Sequence, residues 1–245
     1  MAGEHQFPYT AFIDGVDYFC SGSIIAPNVV MTAGHCVRDQ WGWVDHATMS
    51  VFVGNHEISK ATQVDVKAIY CPTKYSTATQ YGDIALLLLA DNVPTTASSA
   101  VIALADARTD VSAWDVGEMA VTVAGWGLTQ LGGHPNTLRY TTEPVMTIAR
   151  CDVVHKGFGA KRPADHICFG LGTRPPTGTC GGDSGAPFVV EGEGAGGKGP
   201  VQVALVSYGP LRYQCGDAED NVDAATSVMY WRTWIDGVLA KITHD

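Results

Sequence analysis

Around residue 180 the chain reads Thr-Cys-Gly-Gly-Asp-Ser-Gly-Ala-Pro, setting the Ser184 hydroxyl among three glycines, an acid and a cysteine. A serine hydroxyl is a weak nucleophile. To attack a carbonyl it needs a base, a group that orients the base, and N–H donors for the oxyanion that forms. Glycine suits the last requirement: without a Cβ, Gly182 is free to turn its N–H toward a carbonyl beside the N–H of Ser184, and Gly185 leaves room for close approach. The base is expected to be His35, in Met31-Thr-Ala-Gly-His-Cys36, where a disulfide at the following cysteine would pin the loop that aims the imidazole. The orienting acid is expected to be Asp83, in Tyr81-Gly-Asp-Ile-Ala-Leu-Leu87, immediately before an apolar run. An ionised carboxylate there would hold one tautomer of His35 and stabilise its imidazolium. Each piece alone is weak, since a lone histidine is usually structural and an aspartate before a strand is usually a cap. Together they are specific. Their chain order, His then Asp then Ser, is not that of α/β-hydrolases, and Ser184 lies in Gly-Asp-Ser-Gly rather than in a Gly-x-Ser-x-Gly elbow.

Three segments so far apart must be brought together by the fold. Short β-branched or aliphatic runs recur between turn residues, at Tyr9–Ile13, Gly22–Ile25, Val29–Thr32, Met49–Val53, Val64–Tyr70, Ile84–Leu89, Met119–Ala124, Val145–Ile148, Pro187–Val190, Val201–Val206 and Ala224–Val228. That pattern predicts an all-β sandwich or barrel. Helix is expected only after about residue 229, where Trp231, Trp234, Ile235, Val238, Leu239 and Ile242 share one helical face that should dock on the β structure. A stretch rich in Ala, Ser, Thr and Asp between Asp91 and Gly117 divides the strands into two sets and reads as the crossing between two β-barrels. The domains are accordingly placed at residues 1–105, with His35 and Asp83, and 106–245, with Ser184. Gly192–Gly199 lacks the Gly-Lys-Ser/Thr ending of a phosphate loop and reads as a hairpin tip.

A net charge of -10 leaves no basic field for nucleic acid or anionic lipid, so neither is an expected partner. The longest apolar run, from Ile84 to Ala90, is far short of the roughly 20 residues that cross a bilayer. The N-terminus has no secretory leader pattern, so a mature chain is expected. The seven cysteines form no Cys-x-x-Cys pair, which disfavours a zinc site and leaves disulfides or buried thiols; an odd count leaves at least one unpaired within the chain.

The motifs TAGHC, GDIALL, VAGWG, CGGDSGAP and SYG, in this order and spanning essentially the whole chain, resemble the trypsin/chymotrypsin family of serine endopeptidases. The resemblance implies two six-stranded antiparallel β-barrels of chymotrypsin-like fold with a C-terminal α-helix. It implies that His35 is general base and acid, that Asp83 orients it, that Ser184 attacks, and that Gly182 with Ser184 form the oxyanion hole. It implies the disulfides Cys20–Cys36, Cys151–Cys168 and Cys180–Cys215, each contributing about 3 kcal/mol in the chain-entropy model. Protein or peptide substrates, protein inhibitors as further partners, a secreted monomer and no cofactor follow from the same resemblance. Cys71 is left over, as a partly buried thiol or as a bond to a removed propeptide or second chain, the first being preferred.

Several positions depart from the family. Its mature chains begin with an Ile-Val-Gly-Gly-like terminus whose ammonium pairs with the Asp before the nucleophile, here Asp183, whereas this sequence starts at Met1. A chain without that ammonium is expected to be zymogen-like, with Asp183 swinging away and the oxyanion loop collapsing. Ala186 replaces a glycine. Tyr208, in Ser207-Tyr-Gly209, replaces a tryptophan as the aromatic wall beside the edge that pairs with substrate. Gly178 stands at the pocket floor, where trypsins have Asp. Asp223 falls either on the opposite pocket wall, selecting Arg or Lys as in crab collagenase-like relatives, or in solvent; a basic or mixed preference is favoured. The calcium loop position, residues 54–63, carries one acid, so no metal is expected. The other histidines, 5, 46, 56, 134, 155, 166 and 244, are expected at the surface. A second class of function remains open at this point, a catalytically silent homologue used for binding, against which the intact triad speaks.

Overall fold

In the computed structural model the described residues are 1–15, 18–39, 42–105, 120–129, 132–157, 161–170, 178–191, 199–209 and 222–243. In the N-terminal half, strands β1 (Thr10–Asp14), β2 (Phe19–Ala26) and β3 (Val29–Thr32) precede two minor strands, β4 (Arg38–Asp39) and β5 (Gly42–Trp43), which pair only with each other. Next come β6 (Ser50–Val53), β7 (Thr62–Tyr70) and β8 (Ala85–Leu89), and the six major strands close into a barrel in the order β1-β2-β3-β8-β7-β6. Strand β8 is buried along its whole length, which is why its sequence is a continuous aliphatic run rather than an alternation.

The second half contains β9 (Ala103–Leu104), β10 (Ala120–Gly125), β11 (Arg139–Pro144), β12 (His166–Gly170), β13 (Pro187–Val190), β14 (Val201–Tyr208) and β15 (Val222–Ser227). Six of these run antiparallel in the order β11-β10-β13-β14-β15-β12, and β9 adds to β14 in parallel. A bridge between Val145 and Phe169 brings the two ends of that path together, making an open barrel. Two six-stranded antiparallel systems and a C-terminal helix are therefore present, in the chymotrypsin-like arrangement.

Local differences from the sequence reading have physical causes. No strand forms at Val145–Ile148: Val145 makes a single bridge, and the chain then enters α1 (Ile148–Gly157). The start of that helix is supported by the Thr147 hydroxyl, which accepts from Arg150 N at 3.3 Å. Its apolar residues show almost no helical periodicity, so nothing in the sequence announces it. Strands β11 and β12 were also not anticipated, β11 because it is mostly polar and β12 because all five of its residues are buried and show no alternation. Of the 91–117 crossing, residues 106–117 lie outside the described residues, as do Cys215, His244 and most of the Gly192–Gly199 hairpin.

The C-terminal helix α2 (Val228–Ile242) starts at Ser227, whose hydroxyl accepts from Tyr230 N. Although it follows the second sheet, Val228, Trp231, Ile235 and Val238 pack into the same core as β3 and β8 of the first barrel, joined there by Trp126, Leu138, Val189 and Leu205. Full burial of a side chain such as Ile235 stabilises by about 2 kcal/mol. The helix thus clasps the two halves to each other, and the seam between them is held by buried apolar contact.

Candidate active site

His35 lies in a short turn that follows β3, and the Cys20–Cys36 disulfide ties this turn back to β2. Asp83 stands one residue before Ile84 and β8, which pairs with β3, so the pairing Thr32↔Ala85 brings the two residues side by side. The imidazole Nδ1 of His35 is 2.9 Å from Asp83 Oδ2, and the His35 backbone N–H donates to Asp83 Oδ1 at 2.8 Å. About a third of the His35 side chain is exposed, whereas Asp83 is fully buried. Burial alone would raise the Asp83 pKa. The His35 charge and hydrogen bonds, with a further bond from Ser207, outweigh it and hold the carboxyl below the usual range. Burial likewise opposes a charged His35, yet the neighbouring Asp83 charge and bond hold its pKa above the ordinary value.

Ser207 reaches Asp83 because of a bulge. Where β14 pairs with β15, Val206 opposes Ala225 and Tyr208 opposes Ala224, so Ser207 is the extra residue, and its buried hydroxyl donates to Asp83 Oδ2. Thr226, on β15, donates to the Asp83 carbonyl at 2.9 Å. Asp83 comes from the first half, and both of these partners from the second.

The loop with Ser184 is tied to β2 by two bonds. Ser21 N donates to the Ser184 carbonyl at 2.8 Å, and Ser21 Oγ donates to the Gly182 carbonyl at 3.0 Å. Ser21 adjoins Cys20, and Cys20 is bonded to Cys36 beside His35, so both loops are referenced to one disulfide. Among the described residues the N–H groups of Gly182 and Ser184 have no acceptor, and no hydrogen bond joins the Ser184 hydroxyl to the His35 ring. Gly182 adopts φ +97°, and a Cβ there would enter the Phe19 ring. Gly185 adopts φ +83°, and the place of its missing Cβ is filled by the Ser21 carbonyl, Thr32 and Ala33. The glycine at 185 therefore answers to close packing between the two halves, rather than to the approach of a ligand. Ala186 is buried in the second core.

Asp183 points inward: Gly127 N donates to Oδ1 at 2.8 Å and Cys180 N to Oδ2 at 2.9 Å. Burial pushes its pKa up to about 6 against the pull of those two bonds. It has not swung outward: two backbone N–H donors offset part of the cost of its burial.

Asp223 is buried and does not face solvent. It accepts from Thr179 N at 3.0 Å and from Thr179 Oγ1 at 2.8 Å, and burial raises its pKa. Beside it is Glu143 of β11, 1% exposed, which the sequence reading missed. No N–H or O–H group reaches either Glu143 oxygen among the described residues, and the neighbouring carboxyl is that of Asp223. Burial first, and the Asp223 charge second, push the Glu143 carboxyl well above its usual range. Gly178 is described one residue before Thr179, and Gly209 packs near Asp223.

Tyr208 is half-buried, its hydroxyl 2.8 Å from His155 Nε2 and its ring tilted against that of His166. His155 and His166 are both buried, contrary to the surface placement expected from sequence, because each ring nitrogen finds a partner inside. A histidine within the apolar run of β12 was the available signal. Of the other histidines, His5, His46 and His134 are exposed and His56 is half-buried.

Cys151 and Cys168 are joined, and Cys180 is also disulfide-bonded, its expected partner Cys215 lying outside the described residues. Cys71 is a free, half-buried thiol whose Sγ is 3.4 Å from the Ile84 carbonyl, and burial pushes its pKa up to about 12. Among the described residues two clusters have metal-ligand character, Cys20 with His35 and Cys36, and Cys151 with His155 and Cys168, but in each the sulfurs are bonded to one another and are not thiolates. In the 54–63 loop the one carboxylate, Glu57, is taken by Lys60 at 2.8 Å. No helix among the described residues is long and apolar enough to cross a membrane.

Comparison with known proteins agrees with this geometry. A model of the family described as Trypsin matches residues 1–235. The chain is 33% identical to brachyurin of Leptuca pugilator over 96% of its own length and 94% of that protein's. It is 31% identical to a trypsin of Phaedon cochleariae, over 92% and 81% of the two chains. To the protein named Trypsin Blo t 3 of Blomia tropicalis it is 29% identical, over 96% and 83%.

Proposed function

Because this chain belongs to the trypsin family of serine endopeptidases, we propose that it hydrolyses peptide bonds through an acyl-enzyme formed on Ser184. His35 removes the hydroxyl proton and later returns it to the leaving amine, while Asp83 holds the Nδ1–H tautomer and stabilises the imidazolium. The N–H groups of Gly182 and Ser184 receive the oxyanion. The observation that carries this reading is the His35–Asp83 contact, 2.9 Å with the carboxylate fully buried, beside a loop whose two N–H donors are unoccupied. On this reading the centre lies between an N-terminal unit, residues 1–105, and a C-terminal unit, residues 106–245. A serine-directed fluorophosphonate should label the protein, and Ser184→Ala should abolish the label. An unlabelled wild-type protein would leave the catalytically silent alternative standing.

Substrate is read as an extended peptide pairing with the backbone of Ser207–Gly209, against the Tyr208 ring, with its primary side chain directed toward Gly178 and Asp223. The buried Asp223 carboxylate supports a basic or mixed preference. Asp183 is read as the activation partner: its buried carboxyl suits an ammonium, and without one the enzyme is zymogen-like. Equal turnover of a peptide ester with and without an Ile-Val-Gly-Gly-like terminus would refute that part. The disulfides support an oxidising, secreted setting.

A further inference from the structure

Behind Asp83 lies a second acid–histidine pair. His166, with its side chain fully buried at the start of β12, has Nδ1 3.0 Å from Asp165 Oδ1 and Nε2 3.2 Å from Ser207 Oγ. Asp165 is itself fixed, its other oxygen accepting from Gly82 N and from Trp231 Nε1, both at 2.8 Å. Ser207 donates to Asp83, and Asp83 accepts from His35. One hydrogen-bonded series therefore runs Asp165, His166, Ser207, Asp83, His35, crossing from the second half of the molecule to the first.

Counting protons along this series assigns its direction. Ser207 has one O–H, and the ionised Asp83 can only accept, so that proton is committed to Asp83. The lone pairs of Ser207 are left for His166 Nε2–H, and Asp165 Oδ1, an acceptor, takes His166 Nδ1–H. Both ring nitrogens act as donors, an assignment made from the network of bonds. The groups around the ring are Asp165 in the turn before β12, Ser207 and the Tyr208 ring on β14, His155 of α1 across Tyr208, and Arg162, which donates to the His166 carbonyl at 2.6 Å.

We propose that His166 and Asp165 are positioning residues for the hydrolysis: by donating to Ser207 Oγ, His166 forces the serine's only proton onto Asp83 and so holds that carboxylate square to His35. Without the donor at Nε2 the Ser207 hydroxyl is free to rotate away, and Asp83 loses a bond that restrains it. The inference rests on the assignment of His35, Asp83 and Ser184 above.

The test is a double-mutant cycle on peptide-amide hydrolysis, with kcat expressed per site labelled at the fluorophosphonate end point. His166→Phe should lower kcat about 5-fold, the worth of one hydrogen bond of about 1 kcal/mol, with KM changed less than twofold. His166→Asn, which retains a donor for Asp165 but is too short for Ser207, should behave the same way. His166→Gln, whose amide can reach Ser207, should keep most of the activity. In a Ser207→Ala background His166→Phe and His166→Asn should have no further effect, because His166 acts only through that hydroxyl. Equal losses in both backgrounds, an unchanged kcat in the single variants, or no difference between Asn and Gln would overturn the proposal. Should His166→Phe fail to fold, the Asn and Gln pair decides alone. Wild-type protein given an Ile-Val-Gly-Gly-like terminus that still takes no fluorophosphonate would overturn both this proposal and the assignment it rests on, whereas labelled wild type with indifferent His166 variants would overturn only this one.

Discussion

Thr179 and Asp223 are joined twice, the backbone N–H of Thr179 reaching one carboxylate oxygen at 3.0 Å and its hydroxyl reaching the other at 2.8 Å. The pair ties a buried acid to a residue four positions before Asp183 in the Ser184 loop, and the buried Glu143 carboxyl lies beside that acid. On the basic or mixed preference proposed above, Asp223 is the group that would receive a guanidinium or ammonium. Asp223→Ala should therefore lower the ratio of kcat/KM for an Arg substrate over a Phe substrate about 10- to 100-fold, the worth of a hydrogen bond to a charged group. An unchanged ratio would show that Asp223 is not the selector.

The base must be neutral to act, so kcat/KM should fall on the acid side as His35 takes up a proton. The Asp83 charge and hydrogen bond hold the His35 pKa above the ordinary value of about 6.5, against burial, so the midpoint of that limb should lie above it. In Asp83→Asn the raising cause is removed while burial remains, and the midpoint of the residual activity should move down. A pH profile of kcat/KM for both proteins checks the sign. A wild-type midpoint below 6.5, or an upward move in the variant, would contradict it.

Asp183 should make stability depend on pH in the direction opposite to that of a salt-bridged carboxylate. Its folded pKa, about 6, lies above the ordinary 3.8, so between those values the folded protein holds a proton that the unfolded chain has released. Its contribution is greatest below about pH 4 and is lost as pH rises through about 6, a difference on the order of 3 kcal/mol. Asp183→Asn removes the penalty of ionising a buried group. Urea unfolding at pH 4 and pH 7 should show the variant gaining by up to about that amount relative to wild type between the two pH values.

Gly182→Ala combines a positive φ with a methyl directed into the Phe19 ring. The loop must shift, and the N–H assigned to the oxyanion should move off target. A fall in kcat of about 10²- to 10³-fold is expected, as for loss of one such donor, with the disulfides and the circular dichroism spectrum retained. Activity near that of wild type would remove Gly182 from its assigned role.

Much of this molecule can be read along the chain because it depends on local chemistry. An apolar run such as Ile84–Leu89 has to be buried, a Gly-Asp-Ser-Gly turn has the backbone freedom an exposed N–H requires, and the apolar spacing of α2 follows from 3.6 residues per turn. The family motifs, in their order, carried the two-barrel fold and the pairings Cys20–Cys36 and Cys151–Cys168, both of which are present. What the tertiary structure decided were burial and neighbourhood, which arise between segments distant in sequence. His166 is an unremarked polar residue in the chain, but β12 places it under Ser207, where only its hydrogen-bond partners make its burial tolerable. Glu143 reads as a surface residue of a polar strand until the pairing of β12 with β15 sets Asp223 inside the sheet on which Glu143 also lies. Gly185 looks selected for access to a ligand until β2 and β3 are seen to occupy the place of its side chain. Desolvation and steric exclusion are properties of an assembled interior, and no stretch of chain contains them before it folds.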